Sequence, residues 1–300
     1  MSPKVIITGA SGLLGRAVVA EFEGRGFDVI GTAFSRARDE LRKLDLSDTA
    51  AVAAFVGAEK PQAIIHCAAE KRPDVAEQNK EATERLNAEV PGHLAALAKQ
   101  HGAFFVYIST DYVFDGTSPP YQVDDKPNPL NFYGRTKLAG EWAVQEANPQ
   151  AAILRVPILY GPAEDIKESA VNLLLGAVKD ASKETKMDDY QKRFPTNTLD
   201  VARVLADMAE ISVGAAGEGV GGVFHFSAKE EMTKYAMCQV FAGILGNASI
   251  DHLVPVRDKP TEAVASRPDN TQLSTEALEQ IGISVACVNF KNWWSNYLSK

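Results

Sequence analysis

Three hundred residues, 45% hydrophobic and 23% charged, describe a globular chain with enough material for a full core and two lobes, and exclude a fibre or a disordered protein. A formal charge of -8 argues against a nucleic-acid or anionic-membrane surface, so neither is expected as a partner. Three scattered cysteines, Cys67, Cys238 and Cys287, make neither a disulfide framework nor a CxxC pair, and the five histidines are isolated with no HExxH spacing, so no metal site is expected.

The chain opens on Val5-Ile6-Ile7-Thr8-Gly9-Ala10-Ser11-Gly12-Leu13-Leu14-Gly15. An apolar run, three glycines spaced three apart and an amphipathic run read as buried strand, tight turn and helix. Gly9 makes the turn, Gly12 lets the backbone approach a pyrophosphate, and Gly15 lets the helix lie close on the sheet. The free N–H groups of the helix N-terminus then face the phosphates, so a dinucleotide is the expected ligand. With the first strand starting at about Lys4 and no apolar run approaching a bilayer span, neither a signal peptide nor a membrane helix is expected, and the location is read as cytoplasmic.

Leu14, Val18 and Phe22 share one helical face, and a second strand over Phe27 to Thr32 completes a βαβ unit. Where an NAD enzyme would place a carboxylate on the ribose, Arg36 and Arg38 stand instead, and an arginine there pairs with a 2'-phosphate, so NADP is favoured over NAD. Leu44-Asp45-Leu46 reads as a short third strand, with Asp45 either on the adenine edge or beginning a turn, and Ser47 or Asp48 capping the next helix. Ala63 to Ala69 is a continuous apolar strand whose small ending, Cys67-Ala68-Ala69, makes room for a cofactor at its carboxyl end. His66 reads as a hydrogen-bonded core residue and Asn87 as a structural amide tying strands together. Pro91 is expected to kink or break its helix near Glu89.

Phe104 to Ser109 is another buried strand, and it delivers Ser109-Thr110-Asp111 to the edge of the sheet that carries the glycine loop. A proline-punctuated loop follows to Asn131, and then Tyr133-Gly134-Arg135-Thr136-Lys137. Residues four apart share a helical face, so the phenol and the ammonium point into one pocket, where the cation is expected to lower the tyrosine pKa. None of the other seven tyrosines has a lysine four residues on. The order of glycine loop, Ser-Thr strand and Tyr-x-x-x-Lys is far more specific than any one of its parts.

In the second half, Ala152 to Val156 is a strand, after which the chain crosses into a smaller lobe at Pro157. Ser169 to Ala181 and Asp200 to Glu210 read as amphipathic helices, the second with Thr198 as a plausible cap. Between them Gln191-Lys192-Arg193-Phe194-Pro195-Thr196 mixes cations, an aromatic ring and a hydroxyl, which suits an anionic or sugar-like ligand and would equally suit an exposed linker. Gly222 to Phe226 is a strand, Thr233 caps a helix to about Leu245, and Arg267 lies in a loop. Phe290 to Leu298 is an aromatic helix whose tryptophans cap the domain's own core.

These motifs resemble an extended short-chain dehydrogenase/reductase over nearly the whole chain. Within that superfamily the stretches Thr8 to Val18, His66 to Val75, Tyr107 to Gly116, Leu154 to Gly161, Arg193 to Thr196 and Glu231 to Tyr235 resemble the dTDP-4-dehydrorhamnose reductase family. They are most similar to its branch that serves as the regulatory beta subunit of methionine adenosyltransferase. Pro157-Ile158 favours that branch, because the sugar reductases usually carry an aromatic residue soon after the equivalent of Arg155.

The resemblance implies an α/β fold: a Rossmann doubly wound parallel sheet over residues 1–156 and a smaller, discontinuous substrate-type lobe over 157–300, with segments at about 195–225 returning to the first domain. It implies NADP as cofactor and Thr110, Tyr133 and Lys137 as the catalytic set. The cofactor would lie on Gly9, Ser11, Gly12, Leu13, Leu14 and Gly15. Arg36, Arg38, Asp45 and Leu46 would surround its adenosine end, and Cys67, Ala68, Ala69, Asn87, Tyr133, Lys137 and Pro157 the remainder. Arg193, Phe194, Thr196 and Arg267 would form the substrate-type pocket. The implied partner is a methionine adenosyltransferase catalytic subunit. The alternative is an NADPH-dependent reductase of a nucleotide-linked 4-keto sugar.

Overall fold

The computed structural model describes residues 2–37, 40–213, 219–259 and 264–299; Arg38, expected at the adenosine end, lies outside the described residues. In chain order the first half runs β1 (Lys4–Thr8), α1 (Leu13–Gly24), β2 (Asp28–Ala33), β3 (Arg42–Lys43), α2 (Thr49–Glu59), β4 (Ala63–His66), α3 (Pro73–Gln78), α4 (Lys80–Glu84), α5 (Val90–His101), β5 (Phe104–Thr110), α6 (Phe132–Ala147) and β6 (Ala152–Val156). The second half runs β7 (Leu159–Tyr160), α7 (Asn172–Lys179), β8 (Thr185–Asp188), β9 (Thr196–Asn197), α8 (Thr198–Val213), β10 (Gly222–His225), α9 (Lys234–Ile244), β11 (Leu253–Val256), α10 (Glu276–Gln280) and α11 (Phe290–Leu298).

Seven strands form one parallel sheet in the order β10-β6-β5-β4-β1-β2-β3, the doubly wound arrangement with one strand added beside β6. The central strands β1, β4, β5 and β6 are buried along nearly their whole length because both faces are covered, while the edge strand β3, Arg42–Lys43, is exposed. Alternate residues serve opposite layers. Val5, Ile7, Ala63, Ile65, Val106, Ile108, Ala152 and Leu154 join Leu14, Val18 and Phe22 of α1 and Val201, Leu205 and Met208 of α8. Ile6, Ile64, Phe105, Tyr107 and Ile153 join Val52 and Val56 of α2 and Leu94 and Ala98 of α5. A separate cluster holds the smaller lobe, where Leu175, Met237, Phe241, Phe290 and Trp294 pack around Tyr160 beside the parallel pair β11 and β8.

Two local expectations differ from the structure, and a third is met in one of its two forms. The third strand lies at Arg42–Lys43, and Leu44 to Leu46 continues as loop after the Leu44 N–H bonds the Ala33 carbonyl at 2.9 Å. Pro91 does not break its helix but sits just after a distortion at the expected place: a π-turn over Arg85–Glu89 runs without interruption into α5, whose first turn holds Pro91. Thr198 lies inside α8, and the side chain accepting from the first turn is that of Asn197, bonded to the Leu199 N–H at 2.9 Å. Among the described residues no helix is long and apolar enough to cross a membrane.

Candidate functional site

Because the sheet is parallel, the turns after β1, β2, β4, β5 and β6 all open on one edge, and a cleft of about 940 Å³ lies across it. Its floor is the glycine loop. Gly9 has φ +66°, and a Cβ there would stand 2.8 Å from the Ala68 nitrogen; at Gly15 a Cβ would stand 2.1 Å from the Gly9 carbonyl oxygen. Loop, helix and the strand end at β4 are therefore in backbone contact. Gly12 caps α1 with no side-chain hydrogen bond, which leaves the first-turn N–H groups facing the cleft without a side-chain partner. Ser11, Leu13, Leu14, Leu46, Cys67, Ala68, Ala69 and Pro157 all line the same space.

Strand β5 carries Thr110 to this edge, and α6 brings Tyr133 and Lys137 against it. The start of α6 is held from both sides. Asn131 accepts from the Gly134 N–H at 2.8 Å and donates to the Ser266 carbonyl at 2.7 Å. Lys137 is buried, its ammonium donating to the Ile108 carbonyl at 2.7 Å and lying 4.0 Å from the centre of the Tyr107 ring. Burial draws that ammonium down to about 7, while Glu141 acts in the opposite direction.

The phenol of Tyr133 is not lowered as its spacing from Lys137 suggested. Burial pushes it up, a hydrogen bond with Thr110 opposes that, and the Asp111 carboxylate adds to the rise. The cation that was to favour phenolate is itself desolvated and engaged with a backbone carbonyl. Asp111, also lining the cleft, is raised to about 6 by burial, against the hydrogen bond from Thr271 and the charge of Arg193. The Cys67 thiol, which also lines the space, is pushed up to about 12 by burial.

Behind this set, Arg155 forks onto Glu141 at 2.9 and 2.7 Å, the two side chains 4% and 2% exposed, and Ser109 donates to the same carboxylate. His66 meets the Thr8 hydroxyl at 2.7 Å through Nδ1, a core partner across the sheet.

A group of cations lines the cleft as well. Arg193 is buried, with Nη1 on the Pro268 carbonyl at 3.1 Å and Nη2 on Gln191 Oε1 at 2.6 Å; Arg267 bonds Asp74 at 2.7 Å. Lys234, at the start of α9 and inside the stretch Glu231 to Tyr235, joins them, its ammonium lowered by burial and by Arg193 and Arg267. Lys71 and Tyr112 also line the cleft without having been singled out, although each lies inside a stretch that carried the family resemblance.

Phe194 and Thr196 do not line the cleft. Phe194 is buried, and the Thr196 hydroxyl bonds the Phe194 carbonyl at 3.0 Å and the Ala228 N–H at 2.8 Å, because β9 pairs with β7 and turns these side chains inward. Asn87 also stands outside it. Its amide closes on the backbone of Glu70 with two bonds of 3.0 Å and donates to Thr136 at 3.2 Å, which supports the cleft from behind. Asp45 lines the cleft but begins a turn, its Oδ1 accepting from the Ser47 N–H at 2.9 Å and the Ser47 hydroxyl at 2.7 Å. Arg36 lines it too, in an ion pair with Glu168 from the other lobe.

The family model described as the RmlD substrate binding domain matches residues 3–297. The chain is 47% identical over 290 residues to a methionine adenosyltransferase 2 subunit beta from Danio rerio, covering 96% of this chain and 88% of that protein. Among solved structures it resembles a dTDP-4-dehydrorhamnose reductase from Clostridium acetobutylicum, with TM-score 0.84 and 30% identity over 99% of this chain and 98% of that one. It also resembles a dTDP-4-dehydrorhamnose reductase from Bacillus anthracis in complex with NADP, with TM-score 0.86 and 26% identity over 100% of both chains.

Proposed function

We propose, for a chain that belongs to the RmlD substrate binding domain family of extended short-chain dehydrogenase/reductases, the role of an NADP-holding regulatory subunit, of beta type, of a methionine adenosyltransferase. In this reading it associates with the catalytic subunit in the cytoplasm and adjusts S-adenosylmethionine synthesis. The observation that carries it is the 47% identity to a beta subunit along 96% of the chain, against 30% and 26% to reductases of the same fold.

The cleft's residues fit NADP. A phosphate placed at the start of α1 meets uncapped N–H groups and a residue with no side chain, Gly12. Arg36 stands after β2, where a 2'-phosphate is recognised, and Tyr133 and Lys137 stand at the other end beside Thr110. In the regulatory role Lys137 and Tyr133 hold the nicotinamide ribose. Size-exclusion chromatography with light scattering, run on this protein mixed with the methionine adenosyltransferase of its own organism, with and without NADP, tests the reading. Co-elution is expected; separate elution at micromolar concentration overturns it.

The second reading is an NADPH-dependent reductase of a nucleotide-linked 4-keto sugar, favoured by the presence of Thr110, Tyr133 and Lys137 together on the cleft. NADPH, when bound, would supply a hydride. Thr110 would hold the carbonyl oxygen and Tyr133 would donate the proton, while the cations Arg193, Lys234 and Arg267 suit a sugar nucleotide's diphosphate. Oxidation of NADPH on adding such a sugar is its test.

A further inference from the structure

Glu168 ends a single 3-10 turn, Ile166–Glu168, on the way from β7 to α7, yet its carboxylate lies against the cofactor end of the Rossmann sheet. Oε1 accepts from Arg16 Nη1 at 3.1 Å and from Arg36 Nη1; Oε2 accepts from Arg16 Nη2 at 2.5 Å and from the Glu164 N–H at 3.2 Å. The Lys71 ammonium donates to the Glu168 main-chain carbonyl. Cations that follow β1, β2 and β4 therefore converge on one residue of the other lobe, whose side chain is 8% exposed. Arg16 is also tied to the glycine loop, donating to the Ser11 carbonyl at 2.7 Å. Burial alone would raise the Glu168 carboxyl, but hydrogen bonds from Arg16 and Arg36 outweigh it and hold the group at about 2, a firmly ionised anion.

An ionised carboxylate forked between two guanidiniums has the charge sign and the acceptor geometry of a phosphate held there. We propose that Glu168 stands in for the 2'-phosphate of NADP at Arg36 and competes with it, which makes Glu168 the residue that sets how strongly NADP is preferred over NAD. This rests on the reading above that the cleft takes NADP. A phosphate carries more charge and more acceptor oxygens than a carboxylate, so it displaces Glu168 from Arg36. NAD presents a hydroxyl at that position, leaves the ion pair in place, and neither gains nor loses by it. Glu168 thus subtracts from NADP affinity and is silent toward NAD.

The test is isothermal titration of the full chain with NADP, NAD and adenosine 2',5'-bisphosphate, for the wild type, Glu168→Gln and Glu168→Asp. Glu168→Gln keeps the shape and removes the charge, and it is expected to bind NADP and the bisphosphate about tenfold more tightly, with NAD unchanged within about twofold. Glu168→Asp, too short to span both arginines, is expected to move the same way by less. If the wild type binds NADP and neither variant binds it more tightly, or if NAD gains as much as NADP, the competition is overturned while the cofactor reading stands. If the wild type binds neither NADP nor the bisphosphate, both fall together.

Discussion

The Lys137 ammonium donates to the carbonyl of Ile108, 2.7 Å away, in the strand that ends at Thr110. A cation on α6 is thereby bound to the backbone of β5, and the helix that carries Tyr133 is locked in rotation against the strand that carries Thr110. The same contact removes the ammonium from water, with consequences for pH.

Burial lowers Lys137 from 10.5 to about 7. Between those values the unfolded chain binds more protons than the native one, so stability rises with pH across that window, and the full penalty is present below it. Lys137→Met removes the titrating group and is expected to flatten the rise. Melting temperatures of both proteins at about pH 6 and about pH 10 test it; an equally steep rise in the variant would place the titration elsewhere.

Arg155 and Glu141 form a forked pair with almost no exposure. Removing one partner leaves the other charged and buried, so Arg155→Met is expected to cost about 3–5 kcal/mol in urea unfolding. The double variant Arg155→Met with Glu141→Leu should recover much of that loss, and failure to recover any would point to packing rather than charge.

Gly15→Ala places a methyl 2.1 Å from the Gly9 carbonyl oxygen, a backbone atom that cannot step aside alone. Loss of about 1–3 kcal/mol is expected, together with weaker NADP binding, because the glycine loop must shift to admit the methyl. Denaturant unfolding and cofactor titration read the two effects separately, and wild-type affinity in the variant would refute the coupling.

Tyr133→Phe removes the hydroxyl that lines the cleft with Thr110. In the regulatory reading the variant still co-elutes with methionine adenosyltransferase, and its NADP affinity changes by no more than about tenfold. In the reductase reading, NADPH oxidation by a 4-keto sugar nucleotide is nearly abolished. Comparing the two readouts on one preparation separates the roles.

Much of this protein is determined by relations short enough to be carried within one stretch of chain. The unbroken apolar run Val5 to Ile7 marked a strand buried on both sides, with Val5 and Ile7 on one face of the sheet and Ile6 on the other, since strand side chains repeat every two residues. Glycine spacing placed the turn and the uncapped helix start, and the spacing of Tyr133 and Lys137 placed both on one face of α6.

What the tertiary structure decided are the pairings between distant segments. Arg36 meets Glu168 across 132 positions, Arg193, Lys234 and Arg267 gather along one cleft, and Thr196 turns inward because β9 pairs with β7. Tyr133 is raised rather than lowered because burial is a property of everything packed around the phenol, and no local spacing reports it. Periodicity and turn chemistry act over a few residues and are legible in sequence; the charges a side chain meets depend on how two lobes seat against each other, which only the folded chain resolves.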